Sequence, residues 1–322
     1  MITLWLLACT HAPSETDTDP TCPDAGTPRV VLPADDALHA EPVEWWYWTG
    51  HLKDAADRWY GFEQTVFVFQ IPPYEATSQH LAFTNVDAAS FDYDVTYVDS
   101  LPTRVVDGFD FAVAGSSASG GDGQDVLHGV AGSASWDLSL ASLEPPVLQH
   151  GDGYTDYVAG GYTYYYSRER IAVTGSVTVD GEPRTVTGDA WFDHQYGNLL
   201  NASAAGWDWF ALQLDDGREI MLFLQRGSAE VIGGSITEDG CSREITADEL
   251  QITATGEWTS GVSGCTYPQG WDVVVAGTHL VITPVLADQE LANDMKTYWE
   301  GASLVTGDAS GRAYVELAGY CD

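Results

Sequence analysis

Ile171-Ala-Val-Thr-Gly-Ser-Val-Thr-Val-Asp-Gly-Glu-Pro-Arg-Thr-Val-Thr-Gly-Asp-Ala-Trp-Phe192 is two strand-like runs joined at Asp180-Gly181. Asp-Gly supplies the two positive-φ positions of a tight hairpin turn, so the runs Ile171 to Val179 and Arg184 to Phe192 are expected to pair antiparallel. Trp207 to Leu214 and Glu219 to Leu224 flank Asp216-Gly217 in the same way. Trp59-Tyr-Gly-Phe-Glu-Gln-Thr-Val-Phe-Val-Phe-Gln70 is mixed at first and apolar towards its end, a pattern that suits a barrel strand. Only Ala247 to Leu250 hints at a helical turn. The chain therefore reads as all-β, built from antiparallel strands.

Twelve tryptophans in 322 residues concentrate where a pocket could use them. Glu44-Trp-Trp-Tyr-Trp-Thr-Gly-His-Leu52, Ala190-Trp-Phe-Asp-His-Gln-Tyr-Gly197 and Gly206-Trp-Asp-Trp-Phe-Ala-Leu-Gln-Leu214 interleave flat apolar side chains with polar ones. Aromatic walls with a few polar groups describe a site for a large apolar molecule. One offset places Trp45 on Trp207, Tyr47 on Trp209, His51 on Gln213, Leu52 on Leu214 and Asp54 on Asp216. Either this is a chance likeness of aromatic strands or the chain holds two similar β-barrels in tandem.

The net charge of -36, from 48 acidic and 12 basic residues, repels phosphate backbones and excludes nucleic acid as the expected partner. It also opposes charge-driven docking on anionic lipid. Leu6-Leu-Ala-Cys9 at the end of a short apolar run resembles the lipobox of bacterial lipoproteins, which implies acylation of Cys9. The Thr that follows resembles a signal for onward passage to the outer membrane. The run is short and has no Lys or Arg before it. Residues 1–9 are thus read as a signal peptide and 10–32 as a flexible tether rich in Pro, Thr, Asp and Ser. Localisation at a bacterial cell envelope, in the outer membrane or periplasm, follows. Four further cysteines in an oxidising compartment imply two disulfides, expected as Cys241 with Cys265 and Cys22 with Cys321.

Several segments together resemble the family of carotenoid 1,2-hydratases and AttH-like proteins. They include Glu44-Trp-Trp-Tyr47, Tyr164-Tyr-Tyr-Ser-Arg168, Trp191-Phe-Asp-His-Gln-Tyr-Gly197 and Gly206-Trp-Asp-Trp-Phe210. Tyr267-Pro268, Trp271, Asp288-Gln-Glu290, Tyr298-Trp-Glu-Gly301 and Tyr314-Val-Glu-Leu-Ala-Gly-Tyr320 follow. The resemblance runs from about Glu41 to Tyr320. It implies two tandem lipocalin-like antiparallel β-barrel domains, placed at residues 33–199 and 200–322. It also implies isoprenoid or polyketide chemistry, by hydratases and cyclase-like relatives.

Hydrating an isolated alkene needs a carboxylic acid held protonated, aromatic faces to steady the cation, and a held water. Asp193 is the expected acid, with Asp208 as a second candidate; His194 and Gln195 would orient water. Trp191, Trp207 and Trp209 would form the wall, with Glu44, Trp45 and Trp46 approaching from the matching strand. His80 and Tyr298 are further candidates for the substrate pocket. Strand alternation opposes part of this, because Asp193 and Gln195 fall on one face and Phe192, His194 and Tyr196 on the other. A bend at Gly197 would be needed to unite them; otherwise Asp193-His194 is a hydrogen-bonded pair closing a domain junction. Glu300 and Glu316 read as members of strand-end polar networks. No Gly-x-Ser-x-Gly elbow, Walker loop, dinucleotide fingerprint or metal-ligand spacing occurs. No cofactor or metal is expected. The reading is an apolar-ligand protein that performs acid-initiated hydration or cyclisation. The rival is a non-catalytic carrier or scavenger of the same class of ligand.

Overall fold

The structure, a computed structural model, describes residues 22, 26–157, 160–200, 206–226, 230–293 and 297–321. The expected Cys9 acylation site and signal peptide lie outside the described residues.

Two antiparallel β-sheets curl into tandem lipocalin-like barrels. The first runs in the order Ser90–Val98, Tyr74–Asn85, Trp59–Ile71, Val43–Asp54, Glu182–Asn198, Tyr162–Val179, Ala134–Ser142, Gln124–Ala131, Ser116–Gly121 and Phe109–Val113. The second runs Cys241–Ile245, Val231–Glu238, Glu219–Gln225, Trp207–Leu214, Gly311–Ala318, Tyr298–Gly307, Thr278–Pro284, Trp271–Val275 and Leu250–Ala254. In each barrel the opening Trp-rich strand lies between its hairpin partner and the barrel's last long strand. The offset seen in the sequence is thus repeated in topology. Ala247 to Leu250 forms a turn leading into a strand, not a helix.

Asp180 and Gly181 take φ of 54° and 79°, as the hairpin turn requires. The Glu182–Asn198 strand then pairs with Val43–Asp54 without a break, Trp46 opposite His194 and Tyr47 opposite Asp193. Every second side chain of these strands enters the first barrel. Trp46, Trp48, Phe62, Phe83, Phe111 and Trp136 fill that interior and are less than 2 % exposed. Phe210, Tyr267, Trp271 and Trp299 do the same in the second. The alternate faces carry Tyr47, Tyr165, Trp191, Trp209 and Met221, which form a separate cluster between the barrels.

A bulge between Arg168 and Ile171 helps dock the two bodies. It turns Glu169 and Arg170 outward, so that Arg170 pairs with Glu219 and donates to Leu214 O at 3.1 Å. Gln213 Nε2 donates back to Glu169 O at 2.7 Å and Ala190 O at 2.9 Å. Gly61 permits close approach elsewhere, since a Cβ there would stand 2.6 Å from Ala302 Cβ.

The cysteines pair differently from the sequence expectation. Cys22 joins Cys241 and Cys265 joins Cys321, with Cα separations of 5.2 and 5.0 Å. Cys241 opens a sheet-edge strand paired to Val231–Glu238, whereas Cys265 precedes Tyr267, whose hydroxyl lies 3.3 Å from Cys321 Sγ. Ladder position, not closeness in sequence, chooses the partners. Two such bonds are features of an oxidising, non-cytoplasmic compartment.

Candidate functional site

A cavity of about 430 Å³ lies between the barrels. Large rings fill the barrel interiors, and the cavity uses the outer faces of both sheets. Cross-strand register lays two rows along it. On the first sheet His80, Thr65, Tyr47 and Asp193 are successive in-register neighbours. On the second they are Phe223, Trp209, Glu316 and Glu300. Trp45, Phe67 and Trp207 extend the aromatic lining. Tyr47 ties the rows together: its ring meets Trp209 edge-on at 5.2 Å, and its hydroxyl donates to Glu300 Oε2 at 3.1 Å.

Asp193 lines the cavity, and three donors converge on it. Tyr165 OH reaches Oδ2 at 2.5 Å, while Ser167 Oγ and Trp191 Nε1 reach Oδ1 at 2.6 and 2.8 Å. Burial pushes its pKa up to about 6 against the pull of those donors. At about 6 the group is mostly ionised at neutral pH, its charge met by the three donors, so little of it carries a proton to give. Gln195 also lines the cavity and donates to Tyr157 OH at 3.1 Å. Trp191 lies behind the wall, edge-on to Trp209.

His194 is on the opposite face. Gly197, at φ 152°, continues the ladder without exchanging the faces, so the expected Asp-His-Gln trio is divided. His194 Nε2 instead meets Glu44 Oε1 at 2.8 Å within the first barrel, and its ring stacks on Trp46 at 4.4 Å. Glu44, Trp46 and His194 therefore belong to a core network, not to the cavity. Asp208 also points away from the cavity, accepting from Arg226 and from Tyr320 OH at 2.9 Å. His80 and Tyr298 do line the cavity, joined Nδ1 to OH at 2.7 Å.

Among the described residues, His39, Glu44 and His194 offer ligand atoms within 4.8 Å of one another, an arrangement with the donor chemistry of a zinc site. Each imidazole already contacts Glu44 Oε1 at 2.8 Å, which makes the group a closed hydrogen-bond network. A second group, Cys265, Glu290 and Cys321, has both sulfurs committed to a disulfide.

The carboxyl groups that stand out here are Glu300 and Glu316, which the sequence placed in strand-end polar networks, and Glu63, which it passed over. Glu300 and Glu316 are directly opposite on neighbouring strands and both line the cavity. Glu63 approaches from the other barrel; it is fully buried and its Oε2 has no hydrogen-bond partner. Burial, then the fields of Glu316 and Glu63, raises the Glu300 pKa well above the usual carboxyl range. Burial also pushes Glu63 up to about 8, opposed by the Thr65 hydroxyl and assisted by Glu316. The only sequence signal was an acid within each apolar run Tyr298-Trp-Glu and Tyr314-Val-Glu.

These raised values set a pH dependence of stability. Burial lifts Asp193 to about 6, Glu219 to about 7, and Glu63 and Glu169 to about 8. Unfolded carboxyls titrate near pH 4, so the folded state binds more protons between those limits. Their contribution is complete below the unfolded value and is lost as pH rises through the folded ones. The melting temperature is expected to fall by roughly 10 °C between about pH 5 and about pH 8.5. A melting temperature that rises across that window would contradict the assignment.

Two docked lipocalin-like barrels thus enclose an aromatic, carboxyl-bearing cavity. The chain belongs to the AttH-like family, whose profile matches residues 23–320. The crystal structure of an AttH protein from Nitrosomonas europaea is similar, at 28% identity and TM-score 0.83, over 91% of this chain and 97% of that one. Kievitone hydratase from Nectria haematococca shares the fold at 17% identity and TM-score 0.75, over 92% and 97% of the two chains. CghA shares it more distantly, at 12% identity and TM-score 0.55, over 87% and 89%. No curated protein matches the sequence.

Proposed function

We propose that this protein binds an apolar, isoprenoid- or lipid-like molecule between its barrels and there catalyses acid-initiated hydration or cyclisation. The observation that carries the reading is the cavity itself. Its volume of about 430 Å³ falls in the range of small-molecule sites, and Trp45, Phe67, Trp207, Trp209 and Phe223 line it. Indole faces stabilise a carbocation, and carboxyl groups stand among them. The kinship with a protein named as a hydratase supports this choice of chemistry. Asp193, held anionic by three donors, and Gln195 beside it are placed to orient a water. Anchorage at the cell envelope through Cys9, with the acidic surface in solvent, belongs to the same proposal.

The rival carrier reading needs the cavity but no acid. Binding is tested by titrating the whole protein with the apolar fluorophore 1-anilinonaphthalene-8-sulfonate while following tryptophan emission. One probe per chain with quenched emission is expected. Probe fluorescence without a saturable site would sink both readings.

A further inference from the structure

We infer that Glu300 and Glu316 share a single proton on the cavity wall, and that this proton is delivered to the double bond of a bound alkene. This rests on the function just proposed and names the group that starts the reaction. The two residues stand directly opposite on adjacent strands, and both line the cavity. Like charges in that position repel, and two carboxylates in one apolar site cannot both ionise. The aspartic-protease dyad solves the same problem by keeping one proton between two acids.

The surroundings fit an acid rather than a structural ion pair. Glu300 is 1 % exposed, and its described hydrogen-bond partner is the neutral phenol Tyr47. Among the described residues no salt bridge involves Glu63 or Glu300, whereas the buried Asp125 has Arg168 at 2.6 Å. Glu63 adds a third carboxyl from the opposite barrel, and the buried Tyr314 hydroxyl nearby has no hydrogen-bond partner. Buried polar atoms left unmatched are costly and mark places kept for chemistry. The acid is assembled only where the barrels meet, because Tyr47 and Glu63 come from one and Glu300 and Glu316 from the other.

Trp209 sits in register beside Glu316, one strand from the acid pair. Adjacent strands are about 4.8 Å apart, a distance at which an indole face steadies a cation formed by the acid. In the step, the alkene π pair takes the carboxyl proton, forming a C–H bond and leaving the O–H pair on the carboxylate. The neighbouring carbon becomes a cation. A water oxygen then forms the C–O bond, and its surplus proton returns to the dyad, so the net change is addition of one water. The substrate class is an apolar molecule whose alkene gives a tertiary cation on protonation.

The test uses infrared difference spectra of the full protein against E300Q and E316Q at neutral pH. Wild type should show the carbonyl band of an un-ionised carboxyl group, absent from E300Q. In E316Q the band should persist and disappear at a lower pH than in wild type. No such band in the wild-type minus E300Q difference overturns the shared proton. A second arm incubates each protein with farnesol in deuterium oxide and measures deuterium on carbon. E300Q should lower the labelling rate by about 100-fold or more while still binding the fluorophore. Equal labelling by E300Q, or none by a wild type that shows the band, overturns delivery of the proton. Failure of the fluorophore to bind wild type would instead count against the cavity reading, and the infrared result would stand apart from it.

Discussion

Trp209→Ala is expected to weaken fluorophore binding by roughly 30-fold, whereas Trp46→Ala leaves it nearly unchanged. Losing one indole face from a ligand site costs about 2 kcal/mol of apolar contact, which corresponds to that factor. Trp209 lines the cavity, packs edge-on to Tyr47 at 5.2 Å, and donates to Tyr165 OH at 3.3 Å. Trp46 is one residue from two cavity-facing side chains but points into the first barrel, where it donates to Asp36 O at 3.1 Å. Truncating either ring should destabilise the fold by about 3–5 kcal/mol, because each packs in a buried cluster. Stability therefore does not separate them; ligand affinity does. Binding lost in Trp46→Ala and kept in Trp209→Ala would place the ligand inside a barrel and refute the inter-barrel site.

Removing the Cys265–Cys321 bond in a Cys265→Ser, Cys321→Ser chain is expected to cost about 4 kcal/mol. The estimate follows from the loop closed by a separation of 56 residues, whose release returns chain entropy to the unfolded state. The melting temperature should fall by roughly 10 °C. The bond also fastens the chain end next to Tyr320, which braces Asp208 together with Arg226. A thermal melt of the double variant checks the value, and an unchanged transition would mean that the thiols are not joined.

The all-β character was legible because it rests on local chemistry. Asp180-Gly181 and Asp216-Gly217 can hardly be anything but tight turns between runs of that pattern. Alternation also separated Asp193 and Gln195 from His194 correctly. Which face looks inward was not legible. In Glu44-Trp-Trp-Tyr-Trp48 both faces are aromatic, since one packs in a barrel and the other is covered by the second barrel. Trp45 and Trp46 look alike until the docking partner is known. The disulfide pairing and the Glu300–Glu316 pair share this difficulty. Each depends on which strands become neighbours, and residues far apart in the chain meet only through the completed ladder.

The central claim is that an apolar molecule resides between the barrels. Mass spectrometry of lipophilic compounds extracted from the protein, purified from its native cells under mild conditions, tests it most directly. One class of alkene-bearing or hydrated apolar compound, close to one per chain and much depleted from Trp209→Ala, is the predicted result. An extract of native protein free of any such compound would contradict the account.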